Sequence, residues 1–420
     1  MSRSWWLPIA LGLVLRGSCL LGVEYDQEHG DAASYRLTAL TLLDHGVFSI
    51  SPSAPWVPTA YRPPGYTAFV AAVFAFSRAF LLLQCVQIVL SLAAVWLLSR
   101  VARRIDVRLE LPVLWLGALN PFDAVYAGAG LSECVTTAVF VALCWALVAI
   151  EGHRRWLVMG LLLGVLCLLR DIYLALLPFG LIAFTLFAPG QRLKVLREGV
   201  AICAVAAMVI APWTARNYGA FGKVIPISAG RLGYSLWMGT WALDGSFTLE
   251  DASGARTYPD HAFLREEDRQ AVAGADPALA EPLFKRLFVE RVRAEPVKVV
   301  GRWLVRWPRL WFGTRFDIFK LHERLLPYGS MQWKVVKAAL FGVNAIFVVA
   351  ALAGAWLAVK HRATVRFAVL PLAFTAAAYL PLNSFENRYS QPMFPFLTLL
   401  AANALATVIA RRRSAPAVAP

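Results

Sequence analysis

The chain has 420 residues, of which 59% are hydrophobic and 16% are charged, and its mean hydropathy is +0.59. Apolar runs of roughly 18 or more residues recur along it, which is typical of a polytopic helical membrane protein. The formal net charge of +15 does not indicate nucleic-acid binding, because the basic residues are not interleaved with aromatic residues on a soluble domain.

The cysteines favour neither a disulfide framework nor a metal centre. All of them lie in apolar segments, at spacings unlike those of metal ligands, so we expect buried small hydrophobic residues. They are Cys19, Cys85, Cys134, Cys144, Cys167 and Cys203.

The apolar runs predict ten transmembrane helices. They cover residues 5–22, 80–99, 111–129, 131–150, 156–169, 172–188, 199–215, 335–358, 367–382 and 390–410. With the N-terminus inside, the connections rich in Lys and Arg all fall on one side, which is therefore predicted to be cytoplasmic. This alternation requires residues 65–76 to form a short re-entrant or interfacial helix that starts and ends outside.

The same pattern divides the chain into four parts. Residues 1–215 form an N-terminal transmembrane module, in which 5–22 is expected to be an uncleaved anchor and 23–79 the first outer loop. Residues 216–334 form a long periplasmic segment with amphipathic helices, resting on lipid headgroups or capping the membrane domain. Residues 335–410 are the C-terminal transmembrane helices, and 411–420 a cytoplasmic tail.

The first outer loop is acidic in a basic protein. After Gly30, Asp31 is placed like a helix N-cap, and an amphipathic helix with Ala33, Leu37 and Leu40 on one face is predicted to follow. Arg62 precedes a double proline, which restricts the backbone to an extended or tightly turned form. The loop is thus predicted to fix a carboxylate and a cation beside one membrane face.

Ionisable residues in the predicted spans lie near the outer helix ends. These residues are Asp123, Glu133, Arg170, Asp171, Glu386 and Arg388. Because charge near hydrocarbon normally faces a cavity or a partner, they indicate one polar site open to the outside. A transporter would instead place polar residues near the midplane, with broken helices in matching halves. Arg16 is the exception, and is expected to snorkel outward or pair with the acidic loop.

A series of short motifs carries a family resemblance. They are GDAASY, LLDHG, YRPPGY, LSE, LLRDIYLAL, APWTARNYGAFGKVIPIS and ENRYSQPMFPFL, in this order. Together they resemble the integral-membrane GT-C glycosyltransferases, with similarity to bacterial relatives of dolichyl-phosphate-mannose protein mannosyltransferases and of the lipid A aminoarabinose transferase. The resemblance implies an all-α polytopic bundle of about ten transmembrane helices, with juxtamembrane helices and one long segment on the outer face.

The resemblance also implies roles for particular residues. The family's acidic residue of the first outer loop corresponds to Asp31, and the aromatic residue four positions later corresponds to Tyr35. Its basic residue before the proline, which helps to hold the lipid phosphate, corresponds to Arg62. Many relatives have a second acidic residue directly after the first, where this chain has Ala32, which weighs against a paired-carboxylate or metal-assisted mechanism.

Transfer from a polyprenyl-phosphate sugar needs a base for the acceptor hydroxyl and cations for the departing phosphate. Asp31 is the predicted base, with inversion at the anomeric carbon, and a plain N-cap is the alternative. Arg62 is predicted to bind the donor phosphate, and the alternative is that Arg62 is a structural residue that donates to loop carbonyl oxygens. Arg388 competes with a salt bridge to Glu386.

Further residues are predicted to assist. Arg170 is a third phosphate ligand, unless it pairs with Asp171 in a hairpin, and Glu133 has the alternative of a favourable helix-terminus charge. The residues predicted to position the substrate are Tyr35, Tyr66, Glu133 and Asp171. A divalent metal is an open alternative, because the loop holds Glu24, Asp26, Glu28, His29 and Asp31, although a solvated acidic loop explains the same composition.

The sequence therefore predicts a glycosyltransferase in the bacterial inner membrane, with its active site facing the periplasm. Its partners are predicted to be membrane lipids, a polyprenyl-phosphate sugar and an acceptor that is a protein, a lipid or a glycan. A transporter or flippase of a lipid-linked saccharide is the alternative from another class.

Overall fold

The structure is a computed structural model that describes residues 5–187, 190–229, 232–240, 249–250, 256–257, 277–316, 318–358, 362–382 and 387–414. Three parts of the sequence-based interpretation lie outside these residues. They are much of the middle of the long segment 216–334, the end of the terminal tail, and Glu386 with its suggested salt bridge to Arg388.

The described chain consists mainly of α-helices. In chain order they are α1 (Trp6–Gly22), α2 (Gly30–His45), α3 (Pro64–Phe74), α4 (Phe80–Ile105), α5 (Glu110–Ala118), α6 (Pro121–Gly128), α7 (Glu133–Ala149), α8 (Gly152–Leu169), α9 (Leu176–Phe187), α10 (Arg192–Phe221), α11 (Leu232–Gly239), α12 (Pro277–Ala294), α13 (Pro296–Arg306), α14 (Met331–Ala358), α15 (Arg362–Tyr379) and α16 (Phe394–Ser414). Short 3₁₀ helices cover Val107–Leu109, Asp171–Ala175, Trp307–Leu310 and Asn387–Met393.

Of two small antiparallel sheets, the first connects distant parts of the chain and the second is local. Strand β1 (Val23–Glu24) pairs with β4 (Lys320–Leu321), and β2 (Leu249–Glu250) pairs with β3 (Arg256–Thr257). In the first sheet the start of the acidic loop is held beside a segment almost 300 positions later, with Val23 opposite Leu321 and Glu24 opposite Lys320.

Several helices are long and apolar enough to cross a membrane. By length and composition there are five in the described ranges: α4, α8, α10, α14 and the stretch Asn387–Ala410. The bent pair of α6 and α7 makes a sixth if it forms one span, and the shorter apolar helices are Trp6–Gly22, Pro64–Phe74, Asp171–Ile182 and Ala368–Tyr379. A polytopic helical membrane protein is therefore confirmed, while the number of spans and their sidedness are not settled by these lengths.

The predicted single span 111–129 is wrong, because it consists of two helices. Asn120 separates them, and its side-chain oxygen accepts hydrogen bonds from the backbone N–H groups of Phe122 (2.9 Å) and Asp123 (3.1 Å). Pro121 follows at the first helical position, where the missing N–H is tolerated. Helices α6 and α7 then meet at 119°, and among the described residues no second pair supplies the matching broken helix of a transporter.

Arg16 does not snorkel outward or pair with the acidic loop. It is fully buried, and its guanidinium donates to Ser91 Oγ (3.1 Å) and to the carbonyl oxygens of Gly12 (3.1 Å) and Ala118 (2.9 Å). These partners lie on α4, α1 and α5. Arg16 therefore ties three helices together at the point where α5 ends.

Small residues allow close helix packing in the bundle. A Cβ added at Gly160 would lie 2.5 Å from Val205, and one added at Gly164 would lie 2.6 Å from Val209. The spacing of four places both glycines on the face of α8 that meets α10. This packing fixes the orientation of α8 and therefore the position of its last residues, which lie beside the candidate site.

The apolar face predicted for the long polar segment packs against protein. Phe284 of α12 is buried against Trp237 and Met238 of α11, and Leu287 and Phe288 pack beside them. This contact lies within the long segment itself, so resting on lipid headgroups and capping the membrane domain both stay predictions.

Candidate active site

Asp31 lies in the first turn of α2 and is not its N-cap. His29 is the N-cap residue, so the helix begins two residues earlier than expected. Gly30 has a positive φ of 67°, a conformation that glycine adopts readily. The buried face of α2 carries Tyr35, Thr38 and Ala39. The residues predicted to share an apolar face, Ala33, Leu37 and Leu40, are half-buried.

The Asp31 carboxylate bridges two arginines that are far apart in sequence. Its Oδ1 accepts from Arg62 Nη2 at 2.5 Å, and its Oδ2 accepts from Arg388 Nη2 at 2.9 Å. The arginine side chains are 5% and 12% exposed, whereas Asp31 is 22% exposed. The carboxylate is thus the most accessible member of the group, at the first turn of a helix whose dipole favours negative charge. We call Asp31, Arg62 and Arg388 the aspartate clamp.

Arg62 is held by aromatic rings rather than by loop carbonyls. Its Cζ lies 5.2 Å from the centroid of the Tyr35 ring and 5.1 Å from that of Tyr61. Its Nε and Nη1 are buried and have no hydrogen-bond partner among the described residues. A buried donor without a partner costs about 1–3 kcal/mol, so a bound anion that accepts from these groups would be stabilised.

Two of the predicted positioning tyrosines are adjacent, but only one touches the clamp. Tyr35 packs edge-on against Tyr66, with ring centroids 4.8 Å apart. The Tyr66 hydroxyl instead donates to Gln87 Oε1 at 2.9 Å, in the interior of the bundle. Tyr35 therefore supports Arg62 directly, and Tyr66 supports Tyr35 from behind.

Arg170 pairs with Glu133, and the predicted hairpin pair with Asp171 is not what holds it. Its Nη2 donates to Glu133 Oε1 at 2.7 Å, and its Nε donates to Ser132 Oγ at 3.2 Å. The Tyr389 ring lies 5.9 Å from Arg170 Cζ and 5.2 Å from Arg388 Cζ, so it connects this second pair to the clamp. Glu133 Oε2 and Arg170 Nη1 are buried and have no hydrogen-bond partner among the described residues.

A close helix contact brings Arg170 toward Arg62. A Cβ added at Gly65 would lie 2.7 Å from the carbonyl carbon and oxygen of Leu168, in the last turn of α8. Glycine is therefore required where α3 begins, three residues after Arg62 and beside the backbone that leads to Arg170. The YRPPGY and LLRD motifs meet at this contact.

Asp171 and Asp123 point away from the clamp. The Asp171 carboxylate accepts a hydrogen bond from the Ser228 hydroxyl, in the segment that follows α10. Asp123 Oδ1 accepts from Gln391 Nε2 at 2.6 Å, deeper in the bundle. The single polar site expected from the sequence therefore divides into the clamp, the adjacent Arg170 pair and a buried polar layer of Asp123 and Gln391, which line one cavity together with Glu133.

The motif APWTARNYGAFGKVIPIS holds the loop that carries Arg62. Arg216 Nη1 donates to the Thr59 carbonyl oxygen at 2.9 Å, and Trp213 Nε1 donates to the Ile227 carbonyl oxygen at 2.7 Å. The backbone N–H of Ala229 donates to the Ala60 carbonyl oxygen at 3.0 Å. The motif thus supports the extended backbone just before Arg62.

The acidic residues of the loop do not converge on one point. Asp26 accepts from the backbone N–H groups of Glu28 (2.9 Å) and His29 (3.0 Å); burial acts to raise its pKa, but these hydrogen bonds outweigh it and lower the pKa. Glu24 instead accepts from the backbone N–H of Glu323 at 3.3 Å. Within the described ranges, no group of three or more His, Cys, Asp or Glu side chains is placed to hold a metal ion.

Ala32 occupies an apolar position. It packs against the cluster of Val125, Ala129 and Leu131, and its Cβ would lie 3.4 Å from a Cβ added at Gly130. A carboxylate in this position would lose solvation without gaining a cation. The departure from the family's paired acids therefore agrees with the local packing.

The fold is similar to those of two solved oligosaccharyltransferase structures, so the family resemblance is confirmed at the level of fold alone. Two structures of oligosaccharyltransferases from Archaeoglobus fulgidus carry this comparison. The first, AglB in complex with an inhibitory peptide and a dolichol-phosphate, aligns over 100% of this chain with a TM-score of 0.54 and 15% identity. The second, a complex with zinc and sulfate, aligns over 97% with a TM-score of 0.52 and 13% identity.

This chain spans about half the length of the two oligosaccharyltransferases, 52% in each alignment. ArnT from Cupriavidus metallidurans bound to undecaprenyl phosphate aligns over 99% of this chain and 80% of its own, at 14% identity, but its TM-score of 0.37 is too low to support a conclusion. No family model matches the sequence, and no curated protein matches it.

Proposed function

We propose that the protein is a membrane glycosyltransferase that moves a sugar from a polyprenyl-phosphate-linked donor to an acceptor. The observation that carries the proposal is the aspartate clamp, a partly exposed carboxylate held between the buried Arg62 and the less exposed Arg388 on a fold similar to that of oligosaccharyltransferases. The proposal places the protein in the bacterial inner membrane, with the clamp facing the periplasm. The acceptor belongs to one of three classes: protein, lipid or glycan.

In the proposed reaction, the acceptor hydroxyl attacks the anomeric carbon and its proton passes to Asp31. The bond between that carbon and the phosphate oxygen breaks, and the polyprenyl phosphate leaves with the electron pair. Attack from the side opposite the phosphate inverts the anomeric configuration. General base catalysis of this kind contributes typically 10²- to 10⁴-fold.

Arg62 and Arg388 supply the cations for the departing phosphate. Arginine suits this role because its planar N–H groups match phosphate oxygens. Both Asp31 oxygens accept from these arginines, so fewer lone pairs remain for a proton. We infer that donor phosphate takes over the arginines' N–H groups and releases Asp31 to act as the base.

The remaining predicted residues act around this centre. Arg170 is the third proposed phosphate ligand, and Glu133 orients it through their 2.7 Å hydrogen bond. Tyr35 positions Arg62, and Tyr66 supports Tyr35. Asp171 acts further away, by holding Ser228 and the segment that follows α10.

A consumption assay tests the proposal. The full-length protein in detergent is mixed with a polyprenyl-phosphate sugar and candidate acceptors, and release of free polyprenyl phosphate with formation of a new glycosidic bond is measured. We expect turnover by the wild type and a loss of about 10³-fold in Asp31→Asn. The matched control is Asp44→Asn, because Asp44 is also on α2 and also pairs with an arginine, Arg78, away from the clamp.

Two results would overturn the proposal. Equal turnover by Asp31→Asn and the wild type would remove Asp31 as the base. Movement of lipid-linked sugar across vesicle membranes without any new glycosidic bond would identify the alternative, a transporter or flippase.

A further inference from the structure

Arg315 is a buried arginine outside the candidate active site that sequence reasoning did not identify. It is 1% exposed and has a positive φ of 53°, a backbone conformation uncommon for residues other than glycine. Burying a guanidinium is unfavourable unless its donors are satisfied. Both the burial and the backbone conformation therefore require strong local interactions.

The guanidinium of Arg315 is satisfied mainly by one short helix. Its Nη1 donates to the Asn387 carbonyl oxygen at 2.8 Å, and its Nη2 donates to Ser390 Oγ at 2.9 Å. A longer contact of 3.4 Å reaches Gln391 Oε1. All three partners belong to the 3₁₀ helix Asn387–Met393, the element that carries Arg388.

The opposite side of Arg315 is anchored in the bundle. Its Nε donates to Asn344 Oδ1 at 3.0 Å, and Asn344 is fully buried on α14. The Asn344 side chain in turn donates to the Trp311 carbonyl oxygen at 2.8 Å. The Cζ of Arg315 lies 4.3 Å from the Phe394 ring centroid. Arg315 thus links a rigid transmembrane helix to the 3₁₀ helix.

This link matters because a 3₁₀ helix is weakly determined by its own hydrogen bonds. Its position must come from contacts with the surrounding structure, and the observed ones include the fork of Arg315. Arg388 lies in the first turn of the same helix and reaches Asp31 at 2.9 Å. A shift of this helix would therefore move Arg388 relative to Asp31.

We propose that Arg315 is a positioning residue for the donor phosphate, because it holds the helix Asn387–Met393 where Arg388 joins the aspartate clamp. The inference rests on the proposed function and deepens it. Arg315 does not touch the substrate in this account. It acts through Arg388, and a lysine cannot replace it, because an ammonium group does not supply the planar fork of N–H donors.

Arg16 provides a matched control. It is as deeply buried as Arg315, and it also donates to a side-chain oxygen and to backbone carbonyls. Its hydrogen-bond partners lie on α1, α4 and α5, and none belongs to the clamp or to the helix Asn387–Met393. Replacing either arginine by lysine removes a buried fork, but only Arg315→Lys is expected to disturb the clamp.

The experiment measures binding of undecaprenyl phosphate to full-length variants in detergent. Removal of a charge-assisted contact in Arg388→Gln is expected to raise the Kd by roughly 10- to 100-fold. Arg315→Lys, which displaces Arg388 without deleting it, is expected to raise the Kd about fivefold. Arg16→Lys is expected to stay within about twofold of the wild type although its thermal stability falls as well.

A double variant separates positioning from general destabilisation. If Arg315 acts through Arg388, Arg315→Lys adds less than about twofold to the Kd when Arg388→Gln is already present. Independent effects would multiply instead. The milder variant Ser390→Ala, which removes one acceptor of Arg315, is expected to raise the Kd by about two- to threefold. It replaces Arg315→Lys as the test of positioning if Arg315→Lys does not fold.

The outcomes distinguish the inference from the proposed function. If Arg388→Gln binds undecaprenyl phosphate as the wild type does, the proposed phosphate clamp is wrong. If Arg388→Gln weakens binding but Arg315→Lys and Ser390→Ala do not, the positioning role is wrong. The positioning role is also wrong if the effects of these variants on the Kd multiply with that of Arg388→Gln. In both cases the proposed phosphate clamp is unaffected.

Discussion

Two regions of this protein hold buried arginines in different ways. Around Arg16 the partners are a hydroxyl and two backbone carbonyl oxygens, which the helices fix in place. Around Arg62 the partners are a carboxylate and two aromatic rings. Arg62 Nε and Nη1 have no hydrogen-bond partner among the described residues, and the same holds for Nη2 of Arg16, so the two arginines differ in the chemistry of their partners. An arginine that donates to backbone carbonyl oxygens stabilises the contact between helices. An arginine that donates to a carboxylate can instead exchange that carboxylate for another anion.

The strongest test of this comparison replaces each arginine by methionine. Arg62→Met is expected to raise the Kd for undecaprenyl phosphate by about 100-fold, because two to three charge-assisted hydrogen bonds are lost. Arg16→Met is expected to lower the free energy of unfolding by about 2 kcal/mol, because it leaves the Ala118 carbonyl without its donor. Ligand binding and thermal unfolding in detergent measure the two effects. A binding defect in Arg16→Met would contradict the distinction.

A second test alters the contact between the two arginine-bearing motifs. Gly65→Ala places a methyl group 2.7 Å from the Leu168 backbone, so α3 must move away from α8 at a cost of about 1–3 kcal/mol. Both thermal stability and donor binding are expected to fall. Gly342→Ala is the control, because nothing lies within 4 Å of a Cβ added there, and it is expected to be neutral or slightly stabilising.

A third test asks whether Asp31 competes with the donor phosphate. If the carboxylate occupies the position of an anion, Asp31→Asn removes the competitor and lowers the Kd for undecaprenyl phosphate about fivefold, even though transfer is lost. Arg388→Gln with Asp31→Asn should bind more weakly than Asp31→Asn alone. Weaker binding by the single variant would mean that Asp31 orients the arginines and does not compete with the ligand.

The smallest effect is expected at Ser228. Ser228→Ala removes the hydroxyl that donates to Asp171, and the expected loss is about 1 kcal/mol in the free energy of unfolding. The Kd for undecaprenyl phosphate should remain unchanged, because neither residue contacts the clamp in the described structure. A binding defect comparable to that of Arg62→Met would place Asp171 in the ligand site itself.

The sequence predicts the membrane class and names the members of the clamp, but it does not predict how they meet. Asp31 and Arg62 stand out because a helix start and a double proline restrict their backbones. The pairing of Asp31 with Arg388 spans 357 positions, and periodicity contains no information about such a contact. The pairing of Arg170 with Glu133 rather than with Asp171 likewise depends on how α7 and α8 pack.

Other differences between the sequence-based predictions and the structure have local causes. The Asn120–Pro121 pair is typical of a helix start, but it lies inside a continuous apolar run, which favours a single span over the two helices observed. The partners of Arg16 and Arg315 cannot be predicted from the sequence, because they are carbonyl, amide and hydroxyl groups, which carry no charge. Buried arginines of this kind become understandable only after the fold brings their acceptors together.

The separation of Asp31 from Arg388 also has a consequence for biosynthesis. A ribosome completes α2 long before it reaches the short helix that carries Arg388, and β1 must wait for β4 before it can pair. During most of translation the nascent chain therefore has the carboxylate without its second cation. Under the proposed function, a polypeptide that is still being inserted cannot act on lipid-linked sugars, and activity begins only once the last helices have joined the bundle.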